Sequence, residues 1–173
     1  AVRRGSLSLR TTTPKTNGYY SSLSRNQVAP SLVKQVAAVF EKEVASVHFE
    51  VGVAPRGRLR ADIVALNMKR HIVICEVKSC WADFSTDNKW KRYLEYSNQF
   101  YFVITDALWE SHGEKLKERL KGSGAGIMVC SLRSGVRRVV SASKRRVPPL
   151  YKLWLITKLA WIGGQSRARR INS

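Results

Sequence analysis

The sequence predicts an α/β fold, a mixed β-sheet flanked by helices, with a basic N-terminal arm and a C-terminal helix and tail. Two observations predict this class: apolar residues at helical spacing, and short β-branched runs bounded by turn residues. Their order is helix, three strands, helix, strand, which combines an antiparallel meander with a helical crossover to a further strand. The chain has 173 residues, of which 44% are hydrophobic, so we expect one domain with a buried core.

The first part of the chain is predicted to form a helix and three strands. Residues 30–44 carry apolar side chains at helical spacing. Residues 46–53 alternate, which places their valines and Phe49 on one side of a strand. Residues 59–67 and 71–78 are β-branched runs that follow turn residues, so an antiparallel meander is expected.

The second part is predicted to form two helices and three strands. An amphipathic helix is expected over about residues 84–96, followed by an apolar, buried strand at 99–105. A short charged helix is expected at 113–121, and two further strands at 125–131 and 135–141.

Composition divides the chain into three segments. Residues 1–28 have no apolar period and are predicted to be a flexible basic arm. Residues 29–141 form the predicted domain. Residues 142–173 are predicted to be a basic linker, a C-terminal helix from about Leu150, and a basic tail.

The charge of the chain predicts a polyanionic partner. Lys and Arg number 31 against 12 Asp and Glu, a formal net charge of +19. Every acid lies between Glu41 and Glu118, so the whole excess is carried by the two flanks. Because Lys and Arg on phosphates release condensed counterions, nucleic acid is the expected partner. The alternative is a charge that only keeps the protein in solution.

Several classes of protein are excluded or disfavoured. No apolar run reaches the roughly 18 to 20 residues of a membrane span, so no membrane association is expected. Cys75, Cys80 and Cys130 are an odd number, which favours a reducing, cytoplasmic compartment. Their spacing and that of the histidines does not suit zinc, and there is no glycine-rich phosphate loop or nucleophile elbow.

Two carboxylates interrupt apolar strands and are the strongest chemical signal. Asp62 lies within 59–67 and Glu76 within 71–78, where an unpaired buried charge is costly. Lys78 shares a strand face with Glu76 but cannot neutralise both acids. Carboxylate oxygens with water suit Mg²⁺, so a divalent cation site is predicted. The alternative is a pair of ion pairs along the strands, Asp62 with Arg60 and Glu76 with Lys78.

These residues resemble a known nuclease motif. Ala61-Asp62, followed 14 residues later by Glu76-Val77-Lys78, resembles the motif of the PD-(D/E)XK nuclease superfamily, with Ala61 in place of the proline. Over about residues 30–140 the chain resembles the MmcB-like DNA-repair nuclease family. The segments that carry this likeness are residues 60–66, residues 74–79, Ala82-Asp-Phe, Asp87-Asn-Lys-Trp, Tyr93 and Phe100-Tyr-Phe-Val.

The resemblance implies a restriction-endonuclease-like core and assigns roles to the motif. Asp62, Glu76 and the Val77 carbonyl would bind Mg²⁺, for which Mn²⁺ is expected to substitute. Lys78 would assist the attacking water, which makes Asp62, Glu76 and Lys78 the predicted catalytic residues. Glu50 is predicted as a further ligand, with Glu43 competing for that role.

Other residues are predicted to hold nucleic acid or to build the core. Asp83 and Asp87 are expected to cap the following helix, and Trp90 and Tyr93 to be core residues. The predicted nucleic-acid contacts are Arg60, Ser79, Lys89, Lys144, Arg145 and Arg146.

The expected function is therefore Mg²⁺-dependent hydrolysis of DNA phosphodiester bonds in repair or recombination, with sequence-independent backbone binding by the basic flanks. The alternative is a non-catalytic nucleic-acid-binding or ribonucleoprotein component that has kept the nuclease fold. DNA or RNA, the substrate's structure and a homodimer are left open by the sequence.

Overall fold

A six-stranded sheet organises the part of the chain that the structure describes. The structure, a computed structural model, describes residues 25–55, 59–131 and 133–171. The helices are α1 (Arg25–Lys42), α2 (Trp81–Thr86), the 3₁₀ helix η1 (Lys89–Glu95), α3 (Asp106–Leu120) and α4 (Pro149–Ile171). The strands are β1 (Ala45–Gly52), β2 (Arg60–Asn67), β3 (Ile72–Lys78), β4 (Gln99–Thr105), β5 (Gly126–Ser131) and β6 (Gly135–Val140).

The strands lie in chain order across the sheet. Pairs β1–β2, β2–β3 and β5–β6 are antiparallel, whereas β3–β4 and β4–β5 are parallel. The parallel pairs need crossovers, which α2 with η1 and then α3 provide. The predicted α/β class, a mixed sheet flanked by helices, is confirmed.

The sheet has a core on each face. Helix α1 covers one face, where its apolar stripe packs on alternate residues of the central strands. The α1 stripe consists of Val28, Leu32, Val36 and Phe40. The other face packs against α2, η1, α3 and α4. Its largest fully buried side chains include Phe84, Phe100, Phe102, Ile72 and Ile74.

The helix predicted over 84–96 is wrong, because the structure contains two shorter helices there. The chain is extended at Asp87, whose carboxylate accepts hydrogen bonds from the backbone N–H groups of Lys89 and Trp90 at 2.8 and 3.3 Å. An aspartate that bonds nearby backbone N–H groups starts a new helix rather than continuing the old one. Asp87 therefore ends α2 and begins η1.

The first strand also departs from its predicted pattern. Val47 packs on the α1 side, whereas Val51 is buried on the other side and Phe49 is 50% exposed. Between them Glu50 has a left-handed φ of 53°, which rotates the strand. The prediction of one continuous apolar side is therefore wrong.

Packed structure is found on both sides of the predicted domain, residues 29–141. Helix α1 begins at Arg25, inside the predicted arm, and buries Val28; the rest of the arm lies outside the described residues. In the predicted basic linker, Ala142 and Val147 are buried. Among the described residues, no helix combines the length and apolar character needed to cross a membrane.

Candidate active site

The two acids of the motif meet at one end of the sheet. Strands β2 and β3 pair from Leu66–Ile72 as far as Ile63–Cys75, and the pairing then stops. Asp62 lies near the start of β2 and Glu76 near the end of the antiparallel β3, so both border this opening. A cleft of about 750 Å³ occupies it. Its lining residues are Arg60, Asp62, Glu76, Val77, Lys78, Asp83, Thr86, Asp87, Lys89 and Tyr93.

Asp62 bridges the two strands where their pairing ends. Its Oδ2 accepts a hydrogen bond from the backbone N–H of Val77 at 2.7 Å. Burial raises the pKa of Asp62, and the charge of Glu50 adds to this effect, while the Val77 N–H, Lys78 and Arg60 oppose it. The raised pKa shows that nearby groups do not fully compensate the buried charge.

Glu76 is the least compensated acid in the cleft. It is only 7% exposed, and its Oε1 has no hydrogen-bond partner among the described residues. Burial, and after it the charge of Asp62, raise the pKa of Glu76 to about 7, although the Tyr93 hydroxyl and Lys78 partly offset these effects. A buried oxygen without a partner is costly, so this site is suited to an added cation.

Lys78 is held mainly by Asp87. Its Nζ lies 2.6 Å from Asp87 Oδ2 and 3.8 Å from Glu76 Oε2. Burial alone would raise the pKa of Asp87, but its bonds to Lys78 and to the N–H groups of Lys89 and Trp90 lower it. Asp87 therefore remains a carboxylate that fixes the direction of the Lys78 side chain.

The ion pairs proposed as an alternative to a metal site are largely absent. Arg60 Nε pairs with Glu50 Oε2 at 2.8 Å instead of with Asp62. The Lys78–Glu76 separation of 3.8 Å is at the outer limit of an ion pair. Neither acid of the motif has a close cationic partner among the described residues.

The two candidates for a further acidic ligand lie outside the cleft lining. Glu50 is close enough for its charge to raise the pKa of Asp62, but its carboxylate is held by Arg60 and its side chain is 56% exposed. Glu43 is bound by both of its oxygens to Arg138, at 2.8 and 2.9 Å, and lies on the α1 face. Among the described residues, no group of three His, Cys, Asp or Glu side chains is close enough to hold a metal. Any cation in the cleft would therefore need backbone or water oxygens besides Asp62 and Glu76.

The predicted nucleic-acid contacts are divided between two regions. Arg60 and Lys89 line the cleft and are exposed. Ser79 lies next to the cleft, where its hydroxyl donates to Asp83 at 3.2 Å.

The three basic residues of 144–146 do not join this cleft. Lys144 lines a different cavity, at the opposite end of the sheet, and Arg146 is exposed. Arg145 is half-buried and donates to the carbonyl oxygen of Ser123 at 2.9 Å, so its guanidinium holds a loop in place.

Sequence reasoning missed two contributions to the cleft. The sequence predicts only a capping role for Asp87, whereas its carboxylate also pairs with Lys78. Tyr93 is buried, as predicted, but its hydroxyl donates to the carbonyl oxygen of Arg60 at 2.6 Å and lies beside Glu76. The Asp87-Asn-Lys-Trp and Tyr93 positions in the resemblance were the only signal for either role.

The mixed sheet flanked by helices is a restriction-endonuclease-like α/β fold, with Asp62, Glu76 and Lys78 in one cleft. The family model of DNA repair protein MmcB-like matches residues 17–150. The chain therefore belongs to the MmcB-like family of DNA repair proteins. No curated protein is significantly similar to it in sequence.

The solved structures similar to this chain include the following two. SPO1766 from Silicibacter pomeroyi, a protein of unknown function, is 25% identical, with a TM-score of 0.62 over 81% of this chain and 86% of that one. An XisH family protein from Nostoc punctiforme is 14% identical, with a TM-score of 0.50 over 66% of this chain and 99% of that one. The second likeness concerns the fold alone.

Proposed function

We propose that this protein is a Mg²⁺-dependent nuclease that hydrolyses DNA phosphodiester bonds in repair or recombination. The observation that carries the proposal is the pair of buried carboxylates, Asp62 and Glu76, beside the Lys78 ammonium in one open cleft. Membership of a DNA repair family supports DNA as the substrate. The net charge of +19 supports a polyanion in general.

The residues present fit a divalent cation. Asp62 and Glu76 would supply carboxylate oxygens, and Glu76 Oε1 is an oxygen still without a partner among the described residues. The Val77 carbonyl is a third candidate ligand. The backbone N–H of Val77 donates to Asp62. Because the N–H and C=O groups of one strand residue point toward the same side of the strand, the Val77 carbonyl also points toward the Asp62 side. When bound, Mg²⁺ or Mn²⁺ lowers the pKa of water and offsets negative charge at phosphorus.

Lys78 would act on the attacking water and on the phosphate. Hydrolysis joins a water oxygen to phosphorus and breaks the bond to a deoxyribose oxygen, which must gain a proton. An ammonium held at 2.6 Å by Asp87 can orient the water and stabilise the charge that grows on the phosphate oxygens. Lys78 is only 13% exposed, so this interaction is weakly screened by solvent.

DNA would be held by its backbone rather than read by sequence. Arg60 and Lys89 border the cleft and can each contact a phosphate next to the scissile one. The basic flanks add further positive charge without any acid. Such contacts predict binding that weakens steeply with salt and discriminates little between sequences.

The competing function is nucleic-acid binding without catalysis, and one experiment separates the two. Labelled linear, nicked, single-stranded and four-way-junction DNA would be incubated with the protein in Mg²⁺, Mn²⁺ or EDTA, beside Asp62→Ala and Lys78→Ala. The proposal predicts metal-dependent cutting that both variants lose while they still bind DNA. Salt-sensitive binding without cutting of any DNA or of a matched RNA set would contradict it and leave binding as the function.

A further inference from the structure

A second cavity lies at the other end of the sheet from the candidate active site. It has a volume of about 520 Å³, within the range of about 300 to 1,000 Å³ found for small-molecule sites. Asn67, His71 and Gln99 place it at the end of β2 and the beginning of β3 and β4, opposite the Asp62 end. Its apolar residues belong to the α1 face of the sheet, whereas Glu76 follows Ile72 and Ile74 on the other face. The two sites are separate, since they share no lining residue.

Uncompensated positive charge surrounds this cavity. Lys69, Arg138 and Lys144 line it, against the single acid Glu43. Glu43 is already paired with Arg138 through both of its oxygens. Neither lysine takes part in an ion pair among the described residues, which include every acidic side chain of the chain. The two lysines therefore favour an anionic group at the mouth.

Polar groups inside the cavity are fixed by their own hydrogen bonds. Gln99 Nε2 donates to the carbonyl oxygen of Ala142 at 3.0 Å, which leaves its Oε1 to accept from His71 Nε2 at 3.0 Å. Gln99 Nε2 also donates to the Tyr101 hydroxyl oxygen at 3.4 Å. This arrangement leaves His71 Nδ1 and the proton of Tyr101 for a ligand, in fixed positions.

The remaining wall is apolar and aromatic. Phe40, Ala65, Val73 and the Tyr101 ring are all buried and contribute to the lining. An inorganic anion would gain no favourable contact from these apolar residues. The base of a nucleotide, by contrast, has both an apolar face and a hydrogen-bonding edge. The cavity therefore suits a phosphate monoester that carries an aromatic group. The two unpaired lysines would bind the phosphate, and the polar groups and apolar residues would contact the aromatic group.

We propose that this cavity binds a nucleotide through its phosphate monoester, with Lys69 and Lys144 on the phosphate and the base toward Phe40 and Tyr101. The nucleotide is either free or the 5′-phosphorylated end of a strand, since both present the same chemistry. The inference does not rest on the proposed nuclease activity, because the cavity shares no residue with the Asp62 cleft.

The test is a binding titration of the full chain in EDTA, so that nothing is cut. The probes are 5′-dAMP, deoxyadenosine, inorganic phosphate, and one hexanucleotide with and without a 5′-phosphate. We expect 5′-dAMP to bind about tenfold or more tightly than deoxyadenosine or phosphate alone. Tighter binding of the phosphorylated hexanucleotide than of its unphosphorylated twin supports a strand end; equal binding of the two, with 5′-dAMP bound, supports a free nucleotide.

Variants locate the binding and separate this proposal from the nuclease. Lys69→Glu with Lys144→Glu should weaken 5′-dAMP binding about tenfold or more. Lys115→Glu, the same charge change on the exposed face of α3, and Asp62→Ala should leave it within about twofold. The proposal is overturned if 5′-dAMP does not bind, if phosphate alone binds as well, if the double variant binds normally, or if Asp62→Ala abolishes binding.

Discussion

The Lys78 ammonium lies 2.6 Å from the Asp87 carboxylate and 3.8 Å from that of Glu76. Asp87 also begins η1 by accepting two backbone N–H groups, so the same carboxylate fixes a helix and a lysine. This arrangement keeps Lys78 beside Asp62 and Glu76, but the lysine does not neutralise Glu76 in a close ion pair. Asp87 is therefore a positioning residue in the proposed reaction.

Asp87→Asn tests this role, since asparagine keeps the oxygen that caps η1 but loses the ion pair. We expect kcat for DNA cleavage to fall about 10- to 100-fold, because Lys78 is no longer held, with KM changed less than about threefold. Single-turnover rates over a range of DNA concentrations measure both. Asp83→Asn is the control, because Asp83 lines the same cleft but, among the described residues, its carboxylate accepts a hydrogen bond from the Ser79 hydroxyl alone. Equal losses in the two variants, or an effect on KM alone, would contradict the role.

The raised pKa of Glu76, about 7, predicts how stability depends on pH without metal. Between its ordinary value of 4.5 and about 7, the folded chain holds a proton at Glu76 that the unfolded chain has lost. The free energy of unfolding should therefore fall as the pH rises through this window. Glu76→Gln should be the more stable protein at pH 8, by on the order of 3 kcal/mol, and equal to the wild type near pH 4.

Urea unfolding in EDTA at pH 4, 6 and 8 measures this difference. Glu110→Gln, on the exposed face of α3, should follow the wild type at every pH. Mg²⁺ should stabilise the wild type at pH 8 but not Glu76→Gln. A pH profile that Glu76→Gln does not alter would show that Glu76 is adequately compensated without a cation.

Glu50→Gln tests the predicted further ligand. Because the Glu50 carboxylate is held by Arg60 and is largely exposed, we expect cleavage to change less than about threefold. The cleavage rate in limiting Mg²⁺ is the sensitive measurement, since a lost ligand would raise the Mg²⁺ requirement. A loss of about a hundredfold, recovered at high Mg²⁺, would establish Glu50 as a ligand.

The aromatic packing behind the cleft predicts a large effect on stability. Phe102 is fully buried, with ring centroids 4.9 Å from Phe84, 5.0 Å from Phe100 and 5.6 Å from Trp90. Phe102→Ala should reduce the free energy of unfolding by about 3 to 5 kcal/mol. Phe49→Ala, at a residue 50% exposed on an edge strand, should cost less than about 1 kcal/mol in the same denaturation experiment. Similar losses would contradict the packing described.

The strands and the motif could be predicted because their pattern is local. Asp62 and Glu76 stand out as charges in apolar strands, and a period of two places Lys78 on the Glu76 face. The structure brings all three to one cleft. By contrast, the direction of the Glu50 side chain depends on the left-handed φ of Glu50 itself. No sequence pattern predicts such a φ in a residue other than glycine.

The parts that could not be predicted depend on contacts between distant segments. The apolar residues on both sides of Asp87 keep a helical spacing, so the sequence predicts one helix there. The structure has two helices, because the Asp87 carboxylate binds backbone N–H groups at the start of the second. Its pairing with Lys78 appears only once η1 folds onto β3. The second cavity joins Phe40, Lys69, Gln99 and Lys144 from four separate elements or loops, so their spacing carries no signal.

The most direct test of the account is a Mn²⁺ titration in which bound metal and DNA cleavage are measured on the same samples. Electron paramagnetic resonance reports the free Mn²⁺, and the labelled DNA reports the cutting rate. We expect cleavage to rise with bound Mn²⁺ in the wild type, Asp62→Asn to lose both metal binding and cleavage, and Glu110→Gln to keep both. Cleavage without bound metal, or Mn²⁺ bound equally by Asp62→Asn, would contradict a cation site at Asp62 and Glu76.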